Sequence, residues 1–384
     1  MYDNLLFSRY PDARCNVLLS IDNSLISQLS FILYADYHRS FASSSIFYVI
    51  LMNHSPRYTS FSTFIDRFFP FKVQKISINA GFTCPNRDGL VGSGGCTYCN
   101  NQSFNPDYCS TEESVRAQLE RGKTFFRRAQ EKRAQQRGKD LSDADKRMKY
   151  LAYFQAYTNT YGEQEHLVRL YEEALTVPDV VGLVIGTRPD CMPDELLDYL
   201  AELHRENFVL VEYGVESTND FTLQRINRGH TYQCAVDTIQ RTAERGLPVG
   251  AHFILGLPGE TRDFTVKQAE IINQLPIDTL KLHQLQIIRG TAMAREFLQQ
   301  RERAAQEPTF QSDYYLYTAE EYAAIIVDFL EKLRPNLVVE RFTSSSPQAL
   351  LLAPEWGLKN YEFVALVEKE LRRRDSWQGK YYKE

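Results

Sequence analysis

The feature that most constrains this chain is a glycine-rich stretch of cysteines, residues 76–101: I-S-I-N-A-G-F-T-C-P-N-R-D-G-L-V-G-S-G-G-C-T-Y-C-N-N. Three of the seven cysteines lie in it, Cys84, Cys96 and Cys99, spaced C-x11-C-x2-C. A β-branched run of Val73, Ile76 and Ile78 leads in. Gly81 precedes the first cysteine, and Gly89, Gly92, Gly94 and Gly95 fill the first gap. Glycine accepts positive φ without a Cβ clash, so such a segment can fold tightly around a bulky inorganic ligand. Three soft thiolates suit zinc or an iron–sulfur cluster, not calcium or magnesium.

Counting ligands narrows the choice. A structural zinc is normally closed by four protein ligands. The only further cysteine nearby is Cys109, ten residues on, past an Asn105-Pro106-Asp107 turn. Three cysteines on a four-iron cluster leave one iron open to another ligand, as a catalytic cluster requires. Tyr98 stands immediately before the third cysteine. C-x-aromatic-C resembles the signature of the radical S-adenosylmethionine (radical SAM) superfamily, in which that aromatic lies beside the cofactor's adenine. The first gap here is wider than is usual in that superfamily. A zinc-stabilised loop, or three unconnected core thiols, is the plainer alternative.

Composition bounds the rest. With 384 residues, 43% hydrophobic and 24% charged, the chain suits a soluble enzyme built on one α/β barrel plus an extension. A formal charge of −5 makes no overall case for nucleic acid. An odd number of cysteines without a secretory signal argues for a reducing, cytoplasmic setting. Residues 1–55 differ in composition from the rest of the chain: the first Lys is Lys72, the first Gly is Gly81 and the first Glu is Glu112. Their longest apolar run, residues 46–52, falls far short of a membrane span. The expectation is that the functional chain begins at Met52, the preceding segment being upstream sequence read through from an early start. The expected domains are a poorly ordered or spurious extension over 1–55, a barrel over 56–305 and a C-terminal α/β extension over 306–384.

From Arg57 onward, apolar runs alternate with helical stretches. Strands are expected at 71–80, 149–156, 179–186, 208–215, 249–255 and 279–288, the pattern of a parallel sheet covered on its faces. Helices are expected at 111–148, 164–175, 193–206, 233–245 and 263–275. After Pro308 the pattern gives a helix at 318–333, a short strand at 337–341 and a helix at 361–374, expected to close one mouth of the barrel. Six strand–helix repeats fit an open, partial (β/α)6 barrel with right-handed connections. Every unusual polar cluster comes just after a strand: Cys84–Cys99, Thr158–Tyr161, Thr187–Asp190, Glu216-Ser217, Gly256–Glu260 and Arg289-Gly290-Thr291. In α/β barrels that is the active-site face.

The motifs G-F-T-C-P-N-R-D-G, G-G-C-T-Y-C-N, F-Q-A-Y-T-N-T-Y, I-G-T-R-P-D, R-I-N-R-G-H, G-L-P-G-E-T and D-S-W-Q-G-K, in that order over about residues 58–382, together resemble the YhcC-type radical SAM proteins. These are related to the radical SAM part of the elongator catalytic subunit. The elongator relatives add an acetyltransferase domain that is not expected here, so acetyl transfer is not carried over. Gly357-Leu358-Lys359-Asn360 departs mildly from the pattern, where an Asn-Lys order is expected. The resemblance implies that Cys84, Cys96 and Cys99 ligate a [4Fe–4S] cluster and that S-adenosylmethionine binds the open iron. An electron from a donor such as flavodoxin or ferredoxin then releases a 5′-deoxyadenosyl radical, which takes hydrogen from an unknown substrate. Radical chemistry demands a dry cavity, for which Tyr157, Tyr161 and Phe253 are candidate linings.

Other candidates carry competing readings. Gln155 and Thr158 could bind the methionyl end of the cofactor or cap a strand end. Arg188 could fork onto a carboxylate or pair locally with Asp190. Glu216 and Ser217 could hold ribose hydroxyls, although Ser217 could equally cap a helix. Gly256 and Gly259 let backbone approach the adenine or simply form a turn. His230 and His283 read as structural histidines, and Cys109, Cys191 and Cys234 as plain buried thiols, with Cys191 a candidate redox participant. Between Glu112 and Lys149 stand twelve Lys or Arg against seven acids, and residues 369–374 add a basic cluster near Trp377. A solvated helix face explains those charges more simply than an RNA surface. tRNA enters by analogy with elongator alone. The contrasting class is a non-enzymatic, zinc- or cluster-stabilised RNA-binding protein.

Overall fold

The apolar, β-branched runs form one parallel sheet, and the order in which they pair fixes where the site lies. The computed structural model describes residues 56–103 and 105–384, so the expectation for residues 1–55 lies outside them. Strands β1 (Val73–Ile78), β2 (Lys149–Phe154), β3 (Val180–Thr187), β4 (Phe208–Glu216), β5 (Val249–Leu255) and β6 (Thr279–Gln284) pair consecutively, all parallel. A seventh strand, β8 (Val338–Arg341), pairs in parallel with β6. The short strand expected in the C-terminal extension therefore belongs to the main sheet. A two-residue strand β7 (Ile287–Ile288) leaves it to pair antiparallel with β9 (Leu351–Ala353), so the expected single strand over 279–288 is two. The result is a curled, open half-barrel.

Among the described residues the α-helices are α1 (Phe61–Ile65), α2 (Val115–Gln136), α3 (Asp143–Lys146), α4 (Gln164–Leu175), α5 (Asp194–His204), α6 (Asp220–Arg225), α7 (Tyr232–Glu244), α8 (Arg262–Ile272), α9 (Ala292–Gln306), α10 (Ala319–Lys332) and α11 (Asn360–Arg373). The single helix expected over 111–148 is α2 plus α3. The break comes at Gly138, which takes φ +62, a left-handed turn that glycine adopts without strain.

Strand periodicity sorts side chains to two faces. Outward residues such as Ile76, Phe154, Ile185, Val211 and Phe253 are buried in the main core with the helices. Phe253 therefore packs away from the barrel interior rather than lining it. Inward residues lie in three layers. At the N-terminal mouth, Leu151, Val184, Phe208, Leu210 and Val338 pack against Phe64, Ile65 and Phe69 around α1. This mouth is filled by α1 together with Val338 of β8. Ser344, Ser345, Ser346 and Asn360 of the C-terminal region line the cavity at the opposite strand ends, and helix α10 packs on α8 and α11. The middle layer is charged, and the layer at the C-terminal strand ends carries the cysteines.

Candidate active site

The eleven-residue gap between Cys84 and Cys96 is a small hairpin. Cys84 O accepts from the Arg87 and Asp88 amides, Asp88 bridges to Ser93, and Gly95 N donates to Asn86 O at 2.8 Å. Gly94 and Gly95 both take positive φ, +79 and +78, which turns the chain back beside its starting point. Cys99 N then donates to Cys96 O at 3.0 Å, closing the C-x2-C turn. The wide spacing thus still delivers three thiols to one place. The segment after α6 holds the loop: Thr97 N bonds Ile226 O, Asn86 Nδ2 bonds Asn227 O at 2.6 Å, and Asn227 Nδ2 bonds Gly95 O at 2.8 Å.

All three cysteines line one cavity of about 860 Å³, with Tyr98, Gln155, Tyr157, Thr158, Arg188 and Glu216. Asn86 Nδ2 and Arg228 Nη1 stand 3.6 and 3.5 Å from Cys96 Sγ, and Asn101 Nδ2 stands 4.0 Å from Cys99 Sγ. Burial pushes the Cys99 thiol up, Cys96 and Cys84 add to the shift, and Arg87 opposes it. Cys109 is elsewhere: its thiol donates to Ser77 O at 3.1 Å and burial pushes it up to about 12. Cys191 is likewise pushed up to about 12 by burial, beside Asp190, which disfavours the reactive thiolate.

Five of the eight expected cofactor contacts line this cavity and three do not. Gln155 Oε1 accepts from Ser77 Oγ at 2.9 Å. Arg188 pairs locally, Nε and Nη2 forking onto Asp190 at 2.9 and 2.7 Å, which leaves Nη1 buried without a partner. Ser217 instead donates to Glu260 at 2.6 Å and accepts from Asn219 N, outside the cavity. Gly256, at φ +83, turns beneath the Tyr317 ring, and Gly259 N bonds Asp313 O. So β5 reaches the cavity through His252 and Ile254, not through the expected glycine turn. Tyr161 is not among the lining residues, and the Arg289-Gly290-Thr291 turn serves to cap α9 through Thr291. His283 lines the cavity, with burial holding its ring neutral.

Beneath the cysteines lies an ionic layer that the sequence reading missed. Lys281 and Glu212, each 1% exposed, pair at 2.5 Å, and Lys75 bonds both Glu212 and Glu340 at 2.7 Å. Lys75 and Glu340 thereby join the first and last strands of the open sheet. His252 meets Glu212 at 3.1 Å, and Lys281 donates to Tyr153 OH at 3.2 Å. Burial by itself would raise the Glu212 carboxyl, but Lys281, Lys75 and His252 together hold it well below the usual range. The signal was available: single charges at inward positions of apolar strands (V-Q-K-I, L-V-E-Y, L-K-L, V-V-E-R) are expensive unless paired.

Three soft thiols on one cavity are donors of the kind an iron–sulfur cluster takes, one to each of three irons. A tetrahedral zinc with bonds of about 2.3 Å needs its sulfurs within about 4 Å of one another. Among the described residues, no three Cys, His, Asp or Glu side chains converge to hold a single metal ion. A cluster sets each thiolate on its own iron. Thr158 Oγ1, Arg188 Nη1 and Arg228 Nε are buried around the same cavity without partners, as is expected where a polar ligand belongs.

Comparison with known proteins decides the family. Residues 82–266 match the radical SAM superfamily model and residues 277–373 match the radical SAM C-terminal domain. YtqA of Bacillus subtilis is 34% identical over 330 residues, 86% of this chain and 94% of that protein. YhcC of Escherichia coli K12 is 36% identical over 286 residues, covering 74% and 82%. The chain belongs to the radical SAM superfamily. Membership brings a [4Fe–4S] cluster and S-adenosylmethionine as cofactors. Among solved structures, the archaeal Elp3 of Methanocaldococcus infernus shares the fold with this radical SAM chain, at a TM-score of 0.53 and 18% identity. The match covers 80% of this chain and 64% of that one. No described helix is long and apolar enough to cross a membrane.

Proposed function

We propose that this radical SAM protein is an enzyme that uses S-adenosylmethionine as the source of a hydrogen-abstracting radical, acting on a substrate seated in the half-barrel. The observation that carries the reading is the opening of three cysteines of one loop, with Cys109 turned away, into the cavity of about 860 Å³. Cys84, Cys96 and Cys99 would hold the cluster, which would supply the one electron for reductive cleavage of S-adenosylmethionine to methionine and a 5′-deoxyadenosyl radical.

The chain's own residues do the rest. Tyr98, Gln155, Thr158, Arg188 and Glu216 are the cofactor contacts on this reading. The free Nη1 of Arg188 offers a cation to a carboxylate, and Thr158 Oγ1 offers a hydroxyl. The ionic layer and α1 seal the barrel below, which keeps water from a reactive intermediate. The electron comes from a low-potential protein of the flavodoxin or ferredoxin type. The test is anaerobic reconstitution with iron and sulfide, reduction with dithionite and assay for 5′-deoxyadenosine. Wild type yields it and Cys96→Ala does not; equal yields from both overturn the reading.

An RNA substrate, tRNA by kinship with elongator, is favoured by one feature. Helix α2 carries Arg128 and Lys132 beside the exposed ring of Phe125 in a shallow groove. Cations flanking an aromatic suit phosphate contact and base stacking. Arg128→Glu should weaken binding of bulk tRNA several-fold at low salt in a filter-binding assay; unchanged binding removes this second reading.

A further inference from the structure

The R-I-N-R-G-H run, residues 225–230, holds the cysteine loop in place, and its second arginine is positioned to do more. Arg228 is 6% exposed, and its guanidinium lies between the cysteine loop and the end of β4. Nη1 stands 3.5 Å from Cys96 Sγ, Nη2 donates to Gly214 O at 2.5 Å, and Nε has no partner. Its nearest carboxylate, Glu216, is 3.9 Å away, too far for a hydrogen bond. The strand makes room for it: a Cβ on Gly214 would come within 2.8 Å of Nη2 and 2.7 Å of Glu216 Oε1. The loop is anchored without it, because Asn227 and Asn86 supply the interlocking amide bonds. A buried cation is costly to maintain, and a brace alone does not need one.

We infer that Arg228 is a positioning residue that sets the reduction potential of the cluster by donating a charged hydrogen bond to the Cys96 thiolate. This rests on the cluster-binding reading above. One electron from a low-potential donor adds one negative charge to the cluster. A fixed guanidinium at one ligand sulfur stabilises that added charge, and hydrogen bonds to the sulfurs are a known lever on such potentials. Arg87, whose Nη2 bonds Cys99 O at 2.9 Å, adds a second cation to the lining.

The test is an anaerobic redox titration of the reconstituted chain monitored by electron paramagnetic resonance, with no S-adenosylmethionine and no substrate. Arg228→Gln removes the charge. It is expected to load iron like wild type and to be at least tenfold harder to reduce, a shift of about 59 mV for one electron. Arg228→Lys, which keeps the charge but cannot span Cys96 and Gly214 together, is expected between the two. A fully loaded Arg228→Gln protein with the wild-type potential overturns the inference. Where the Gln variant fails to load iron, Arg228→Met, which also removes the charge, decides, and a wild-type potential there overturns it equally. Failure of the wild type to load a cluster would instead remove the functional reading itself.

Discussion

Lys281 and Glu212 show how single side chains decide the interior. Both are withdrawn from water, and their attraction offsets desolvation only because Lys75, His252, Glu340 and Tyr153 complete the network. Lys281→Met should lower unfolding stability by roughly 3–5 kcal/mol, read as a lower urea midpoint with unchanged slope. A loss below about 1 kcal/mol would mean that the layer is not ionic. Glu260 gives the pH counterpart. Burial raises its carboxyl to about 7, against the bonds from Ser217 and Thr222, and its Oε2 is buried without a partner. A raised acid binds its proton more tightly in the folded state, so its stability contribution is present below about pH 4.5 and is lost as pH rises to 7. Relative to Glu260→Gln, wild type should therefore lose up to about 3 kcal/mol between pH 4.5 and 7 and then level off. A pH-independent difference between the two would contradict the assignment.

At the scale of elements, periodicity made most of the sheet legible. The fifth strand, 249–255, matches β5 to the residue, and strands one to four agree within about two residues at either end. Two errors share a cause. Positions 111–148 and 279–288 read as single elements because propensity runs on through Gly138 and through Leu285-Gln286, where the backbone turns. α9 escapes a sequence reading because its charged face gives little apolar signal. Of the cavity lining, the three cysteines stand out in the sequence because their spacing is local to one loop. Ser217, Gly256 and Gly259 fall outside the cavity lining because standing next to a strand end does not say which way the chain turns there. Gly182 shows the same limit. It sits inward on β3, where an added Cβ would meet Phe208 O and Leu151. Gly182→Ala should cost about 3 kcal/mol through displaced β3–β4 pairing, read as a lower unfolding midpoint. Wild-type stability would show that the barrel wall has slack there.

Across residues 58–384, three stacked layers account for the arrangement: an apolar floor closed by α1, an ionic middle, and a polar roof where the strands end and the thiols gather. The sheet needs β8 from the C-terminal region to hold Glu340 against Lys75 across its opening. A sequence divided into barrel and extension could not show this, since the pairing is set by tertiary contact. The central claim is that the roof presents a cluster with one iron free for S-adenosylmethionine. The most direct measurement is electron paramagnetic resonance of the reconstituted, dithionite-reduced protein before and after adding S-adenosylmethionine. The account predicts a four-iron signal whose g values change on addition, in wild type and not in Cys84→Ala. A colourless protein holding one zinc, or a cluster signal indifferent to S-adenosylmethionine, would contradict it.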